Sequence, residues 1–136
     1  PNLILTYHRE VKMIQYFNPN SSQSRRALQA WQILISAAMH RQTHSYKTLS
    51  ILMFGKPATG VLGGILGNIA FYCNENNLPP LTTLVVNETT GLPGEEIPVS
   101  QDLNSLRETV YKYDWYNLYP PTEQELKDAN DRKQFK

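Results

Sequence analysis

Three consecutive segments place apolar residues at helical spacing, and this pattern constrains the fold more than any other feature of the chain. The first segment runs from Ser24 to about His40, and Ser22 or Ser24 can cap its start because a serine hydroxyl accepts a hydrogen bond from a free backbone N–H. The pattern predicts an amphipathic helix with one buried face. That face consists of Leu28, Trp31, Leu34, Ile35 and Ala38.

The other two segments are separated by a glycine–proline turn. A second helix is predicted from Ser45 to Phe54, with Ser45 as its N-cap and Gly55 as its C-terminal stop. A third helix is predicted from Thr59 to about Asn76, where the apolar residues repeat with the helical period.

The third predicted helix contains an unusual number of glycines. Each glycine inside a helix costs about 1 kcal/mol relative to alanine, so the set needs a structural reason. Either another helix packs closely against this one, or a bulky partner such as a sugar-phosphate backbone approaches it. The glycines are Gly60, Gly63, Gly64 and Gly67.

A β-hairpin is predicted after the third helix. Residues 81–86 are rich in β-branched side chains, residues 87–91 form a turn, and Leu92 and Ile97 begin a return strand. Three helices followed by a hairpin are typical of a winged helix-turn-helix, in which the second helix of the motif enters the major groove of DNA. The predicted fold class is therefore α+β, a winged helix-turn-helix with extensions at both ends.

The flanking regions are predicted with less regular structure. Residues 1–18 are expected to form a strand or short helix packed on the body. From Asp102 a short helical turn leads into an aromatic strand at residues 110–116, and Thr122 and Glu125 form a capping box for a polar final helix. The predicted organisation is an extension at 1–21, the winged-helix domain at 22–119 and a polar tail at 120–136.

The net charge of +1 conceals an asymmetry along the chain. Residues 1–60 contain seven basic residues and one acid, a net charge of +6, whereas residues 61–136 have a net charge of −5. A basic half of this kind indicates either a nucleic-acid face or a solvated surface.

Several classes of protein are excluded by what the sequence lacks. Cys73 is the single cysteine, so an internal disulfide is impossible and a cysteine-based zinc site is not expected. His40 and His44 are four residues apart but lack the glutamate of a zinc-protease motif. No apolar run approaches the roughly 20 residues of a membrane span. We expect no cofactor, no metal, no membrane contact, no enzymatic activity and a cytoplasmic location.

Four short segments of the chain form a recognisable pattern: Ser-Tyr-Lys-Thr-Leu-Ser at 45–50, Gly-Lys-Pro-Ala at 55–58, Val-Leu-Gly-Gly-Ile-Leu-Gly-Asn at 61–68, and Leu-Val-Val-Asn at 84–87 with Gly91. Together they resemble the DNA-binding domain of O6-alkylguanine-DNA alkyltransferases and of the non-enzymatic alkyltransferase-like proteins. The resemblance covers about residues 44–94. It implies a winged helix that binds DNA and senses a modified or damaged base, with Tyr46 matching the tyrosine that helps rotate a nucleotide out of the stack. The alternative for Tyr46 is packing at the helix start or contact with a phosphate.

Two departures from the family pattern bear on activity. Leu81 follows the proline pair where the family has its reactive cysteine, so alkyl transfer is not available to this chain. Gly60 stands where the family has the arginine that replaces a flipped base. Cys73 lies on the third predicted helix and is expected to be a small core residue.

The sequence therefore predicts non-catalytic binding of double-stranded DNA, with backbone contacts from basic and hydroxyl side chains. The alternative is a protein-interaction or regulatory module whose partner binds the aromatic run at residues 111–119. The predicted DNA-binding residues are Arg25, Arg26, Arg41, Ser45, Tyr46, Lys47, Lys56, Thr59, Gly60, Gly63, Gly64, Asn68, Asn87 and Thr90.

Overall fold

A computed structural model of the chain describes residues 13–92 and 102–135, which form a mainly helical body with a very small sheet. The helices are α1 (Gln23–Met39), α2 (Tyr46–Phe54), α3 (Leu62–Glu75), α4 (Leu103–Lys112) and α5 (Glu123–Arg132). The strands β1 (His44–Ser45) and β2 (Val85–Val86) pair in parallel, and single 3-10 turns occupy Thr59–Val61, Leu81–Leu84 and Trp115–Asn117. The coarse α+β class predicted from the sequence is confirmed.

The first three helices begin and end close to the predicted residues. The Ser22 hydroxyl accepts from the backbone N–H of Arg25 at 3.1 Å, and the Ser45 hydroxyl accepts from that of Thr48 at 3.0 Å. Gly55 ends α2 with a φ of 75°, a left-handed conformation that glycine adopts without a steric penalty. Local capping chemistry therefore accounts for the start of α1 and for both ends of α2.

The core lies between α1, α3 and α5, which pack against one another. Trp31 of α1 makes edge-to-face contacts with Tyr72 and Trp115, with ring centroids 5.8 Å apart in each pair. Although α5 is polar in sequence, it buries Leu126 and Ala129 in this core, and its predicted capping box is present. The segment predicted as a polar tail thus contributes a core helix.

The predicted strand at residues 81–86 is wrong for its first four residues. Leu81–Leu84 is a buried 3-10 turn, and only Val85–Val86 is extended. The backbone N–H of Thr83 and its hydroxyl both donate to the carbonyl of Pro80, at 3.0 and 2.8 Å. These local hydrogen bonds compete with strand pairing, an effect that β-propensity does not include.

The predicted aromatic strand at residues 110–116 is also wrong. α4 continues through Lys112, and Trp115–Asn117 forms a 3-10 turn. The buried indole Nε1 of Trp115 donates to the carbonyl of Val110 at 2.7 Å, which folds the segment back onto the end of the helix. Tertiary burial of one tryptophan overrides the β-propensity of its aromatic neighbours.

The predicted hairpin is replaced by a different pairing within the described residues. β2 lies parallel to β1, with His44 opposite Val85 and Ser45 opposite Val86. Leu92 does return beside Asn87, whose N–H donates to the Leu92 carbonyl at 2.7 Å, but Ile97 and the rest of the predicted return strand lie outside the described residues.

The N-terminal prediction falls mostly on residues 1–12, which are outside the described part of the chain. Residues 13–18 adopt no regular element, and Met13 and Ile14 are exposed.

No single helix in the described ranges is long and apolar enough to cross a membrane. By length and composition alone, α2 and the segment from Thr59 to Glu75 pass that test as a pair bent by 94°.

Candidate nucleic-acid interface

An exposed corner is formed where α2 leads into α3. Four residues, 55–58, separate α2 from the 3-10 turn that begins α3, and the two helical segments meet at 94°. Lys47 in the first turn of α2 and Lys56 in the connecting turn are both exposed. Neither ammonium group forms an ion pair with any residue in the described ranges.

The start of α3 is the open part of this helix. Thr59, Gly60 and Val61 are exposed, and a Cβ built on Gly60 would meet no atom within 4 Å. The first turn carries no acidic residue, and no side chain of the described residues caps it. Residues 65–70 in the middle of α3 are all buried, so its N-terminal end is an accessible part of this helix.

Of the glycines farther along α3, Gly67 is buried against another helix. A Cβ on Gly67 would lie 3.1 Å from the amide oxygen of Asn130 in α5. A Cβ on the exposed Gly64 would meet the flexible end of the Gln23 side chain, and Gly63 lines the same groove between α1, α3 and α5. Of the two explanations for the glycines, the structure supports helix packing at Gly67 and leaves Gly60 open to solvent.

Asn68 was predicted to contact DNA, and the structure places it in the core. It is 1% exposed, and its amide nitrogen donates to the carbonyls of Gly64 at 2.9 Å and Ile65 at 3.3 Å. This side chain stabilises the α1–α3 contact and lies below the accessible surface.

Arg26 is likewise buried, with 7% of its surface exposed. Its guanidinium donates to the carbonyl of Met53 at 3.0 Å, the carbonyl of Asn18 at 2.8 Å and the amide oxygen of Gln29 at 2.8 Å. It also lies 4.5 Å from the ring centre of Phe54. Arg26 therefore joins α1 to the end of α2 instead of facing a partner.

Two of the predicted phosphate contacts are occupied by ion pairs. Arg25 pairs with Glu123 at 3.2 Å, and Arg41 pairs with Glu108 and lies 4.9 Å from the ring centre of Tyr111. Both acids come from the second half of the chain. The charge asymmetry along the sequence is therefore partly neutralised within the fold, and Lys47 and Lys56 are left as the exposed cations of the corner.

The pairing around Glu123 predicts an acid-dependent loss of stability. Hydrogen bonds from the Ser22 hydroxyl and the Arg25 guanidinium lower the pKa of Glu123 from its ordinary value of 4.5. Because this pKa is lower in the folded state, the stabilisation is complete above about pH 4.5 and is lost as the pH falls through the folded-state pKa. We expect Glu123→Gln to be less stable than the wild type at pH 7 in urea unfolding, with the difference shrinking below pH 4.

The matched control is Glu88→Gln, which removes an exposed carboxylate in the turn after β2. Its unfolding free energy is expected to follow that of the wild type from pH 3 to pH 7. A Glu123→Gln curve parallel to the wild-type curve over this range would contradict the assigned role.

The turn at residues 87–92 lies next to the start of α2 because β2 pairs with β1. The Asn87 side-chain oxygen accepts from the backbone N–H groups of Thr89 and Thr90, at 2.8 and 3.2 Å. The Thr90 hydroxyl accepts from the N–H of Leu92 at 3.2 Å. Asn87 and Thr90 are exposed, and their side chains hold the turn together.

Ser45 and Tyr46 have structural contacts at the start of α2. Ser45 caps the helix and its hydroxyl donates to that of Thr48 at 3.0 Å. Tyr46 is half-buried and packs against the hydrophobic core. Of the interpretations considered for Tyr46, packing at the helix start is therefore present in the structure.

The residues that follow the proline pair at 79–80 offer no accessible nucleophile in the described structure. Leu81, Thr82 and Thr83 are buried. Cys73 is also buried, and loss of solvation raises the pKa of its thiol to about 12, so it is protonated at neutral pH. Across residues 13–92 and 102–135, no three His, Cys, Asp or Glu side chains form a candidate metal site.

Thr82 carries a buried hydroxyl with no hydrogen-bond partner in the described structure. We expect Thr82→Val to raise the free energy of unfolding by about 1 kcal/mol, because an unsatisfied buried hydroxyl keeps its desolvation cost. Thr83→Val is the matched control, since the Thr83 hydroxyl donates to Pro80, and it should be destabilising. Urea unfolding measures the free energy of unfolding of both variants. A change in the same direction for the two variants would contradict this account.

Sequence reasoning missed three features of the corner. Val61 is exposed beside Thr59, and a groove of about 420 Å³ opens between Val61, Phe54 and Lys56. Arg107 of α4 contacts the turn after β2. The sequence does contain one signal that marks the corner as a basic surface: no Asp or Glu occurs from residue 11 to residue 74, a span that includes α2 and the start of α3.

The chain matches no protein-family model, no curated protein and no solved structure.

Proposed function

We propose that the chain binds double-stranded DNA without catalysing a reaction, through a winged helix-turn-helix. In this proposal α2 and α3 are the two helices of the motif, and the turn at residues 87–92 serves as the wing. The observation that carries the proposal is the 94° angle between the two helical segments across a four-residue turn containing Gly55. DNA-binding helix-turn-helix motifs have this geometry, with helices at about 90–120° joined by three or four residues.

The electrostatics of the corner support the same proposal. Lys47 and Lys56 are exposed, and the acid-free span of sequence surrounds them. Thr59 and the open surface at Gly60 stand at the N-terminal end of α3, the end with which a recognition helix contacts base edges. The helix dipole adds partial positive charge there, which favours phosphate.

Recognition of a modified or damaged base is the finer part of the proposal and rests on the resemblance. The groove beside Lys56 supports it, because Phe54, Val61 and Ile65 give that groove an apolar wall next to a cation. An alkyl group on a base edge would contact such a wall favourably.

The test is a fluorescence-anisotropy titration of the protein with a labelled DNA duplex at several salt concentrations. We expect binding that weakens about tenfold between about 50 and 200 mM salt, as two phosphate contacts predict. A second duplex with one O6-methylguanine measures the finer proposal as a ratio of affinities. Absence of binding at ~50 mM salt, where phosphate contacts are strongest, would overturn the proposal.

A protein-interaction role is the second candidate, and the exposed tyrosines after α4 favour it. Tyr119 is 91% exposed and Tyr116 is 56% exposed, whereas Trp115 is buried. Aromatic side chains are enriched at protein interfaces. The double variant Tyr116→Ser/Tyr119→Ser should leave DNA affinity unchanged if these residues serve a separate partner.

A further inference from the structure

Arg107 connects the turn at residues 87–92 to the body of the protein. From α4, its Nη2 donates to the carbonyl of Gly91 at 2.9 Å, and its Nε donates to the carbonyl of Thr83 at 3.4 Å. One guanidinium therefore bonds to the backbone on both sides of β2. Arginine suits this position, because its donors form a fixed planar fork.

The turn is closed by its own hydrogen bonds but is attached through few contacts. The N–H of Gly91 donates to the carbonyl of Asn87 at 2.8 Å, and the N–H of Asn87 donates to that of Leu92 at 2.7 Å. Among the described residues, Arg107 supplies the side-chain hydrogen bond that joins this turn to another helix. The internal bonds fix the shape of the turn, and Arg107 fixes its direction.

Here we propose that Arg107 is a positioning residue that aims the turn at the DNA backbone; this inference rests on the proposed function. β2 pairs with β1, and β1 ends at Ser45, the N-cap of α2. The orientation of the turn relative to Lys47 is therefore set on one side by the strand pair and on the other by the guanidinium. Loosening one of these attachments lets the turn move away from a phosphate that Lys47 still contacts.

Glu88 makes the position of the turn measurable. It lies exposed in the turn, where its carboxylate would repel a phosphate held close to the turn. Glu88→Lys reverses this charge, so in the wild-type background it should raise duplex affinity about fivefold at ~100 mM salt. The increase in duplex affinity caused by Glu88→Lys depends on how closely the turn is held to the DNA.

The experiment is a double-mutant cycle of Arg107→Lys and Glu88→Lys, measured by anisotropy with the same duplex. Arg107→Lys keeps the positive charge and loses the fork, so any effect is geometric. We expect it to lower affinity about threefold and to reduce the affinity gain from Glu88→Lys by at least half, because both effects depend on the position of the same turn and residues coupled through a shared backbone segment are not additive. General destabilisation would leave that gain unchanged.

Amide hydrogen exchange of the free protein provides a second readout. In Arg107→Lys, exchange at Gly91 should accelerate, while exchange at the buried Ile69 in α3 stays at the wild-type rate. If the wild type fails to bind DNA at all, both the proposed function and this inference are wrong. If it binds DNA and the cycle is additive, only the role of Arg107 is wrong.

Discussion

Replacing Lys47 and Lys56 together by glutamine is expected to lower duplex affinity about 10- to 100-fold at ~0.1 M salt. Each neutralised phosphate contributes about 0.9 to the slope of log affinity against log salt, so the slope should flatten by about 1.8. The expectation follows from the exposure of both ammonium groups and from the absence of ion-pair partners for them in the described structure. Anisotropy titrations at four salt concentrations measure both quantities.

The charge-matched control is Lys112→Gln/Lys133→Gln, which removes two exposed lysines from α4 and from the residue after α5. This variant has the same net charge as the first, so it separates a local contact from the overall attraction of DNA for a cation. We expect its salt slope to equal that of the wild type. Equal losses in the two double variants would place the DNA somewhere other than the corner between α2 and α3.

Local chemistry was sufficient to predict α1, α2, α3 and α5 but not the length of α4. Ser45 and Gly55 delimit α2, and the Thr122–Glu125 box begins α5, because each boundary depends on hydrogen bonds between residues close in sequence. The same local reasoning failed where contacts between residues distant in sequence determine the secondary structure. Trp115 is buried against Trp31, and that contact converts a run of β-forming aromatics into a helix end and a 3-10 turn.

The candidate site was predicted only in part, and the reason is again distance along the chain. Residue type indicates a cation, but it does not show which acid lies opposite. Arg25 and Glu123 are 98 residues apart, and Arg41 and Glu108 are 67 residues apart, yet both pairs are in contact. Lys47 and Lys56 form no ion pair with any acid of the described residues, so they remain exposed cations and are the phosphate contacts that we propose.

These internal ion pairs neutralise part of the positive charge that the first half of the chain carries. Arg25 and Arg41 use acids of the second half to attach α1 and the residues after it to α5 and α4. The proposed DNA surface is thus narrower than the +6 half of the sequence suggested. Its affinity should depend on few phosphate contacts, and its salt dependence should be correspondingly moderate.

Replacing Arg26 by methionine is expected to lower the free energy of unfolding by about 2–3 kcal/mol and to leave the salt slope of DNA binding unchanged. The methionine fills much of the space but donates no hydrogen bond. The carbonyls of Asn18 and Met53 and the amide oxygen of Gln29 then lose their guanidinium donor. The Asn18 carbonyl still accepts from the Ser21 N–H at 2.9 Å, and the Met53 carbonyl still accepts from the Gln29 amide at 3.2 Å. The cation contact with Phe54 is also lost.

The matched control for this prediction is Arg25→Met, one residue earlier on the same helix. Arg25 is exposed and contributes one ion pair to Glu123, so its replacement should cost at most about 1 kcal/mol. Urea unfolding of the wild type, Arg26→Met and Arg25→Met at pH 7 ranks their free energies of unfolding. Anisotropy titrations of the folded variants give the salt slope of DNA binding. An Arg26→Met protein that is as stable as Arg25→Met, or whose salt slope flattens by about 0.9, would return Arg26 to the DNA-binding surface. A large loss of stability with an unchanged salt slope would establish that Arg26 connects α1 to α2. The arginine would then maintain the structure of the corner without contacting a phosphate itself.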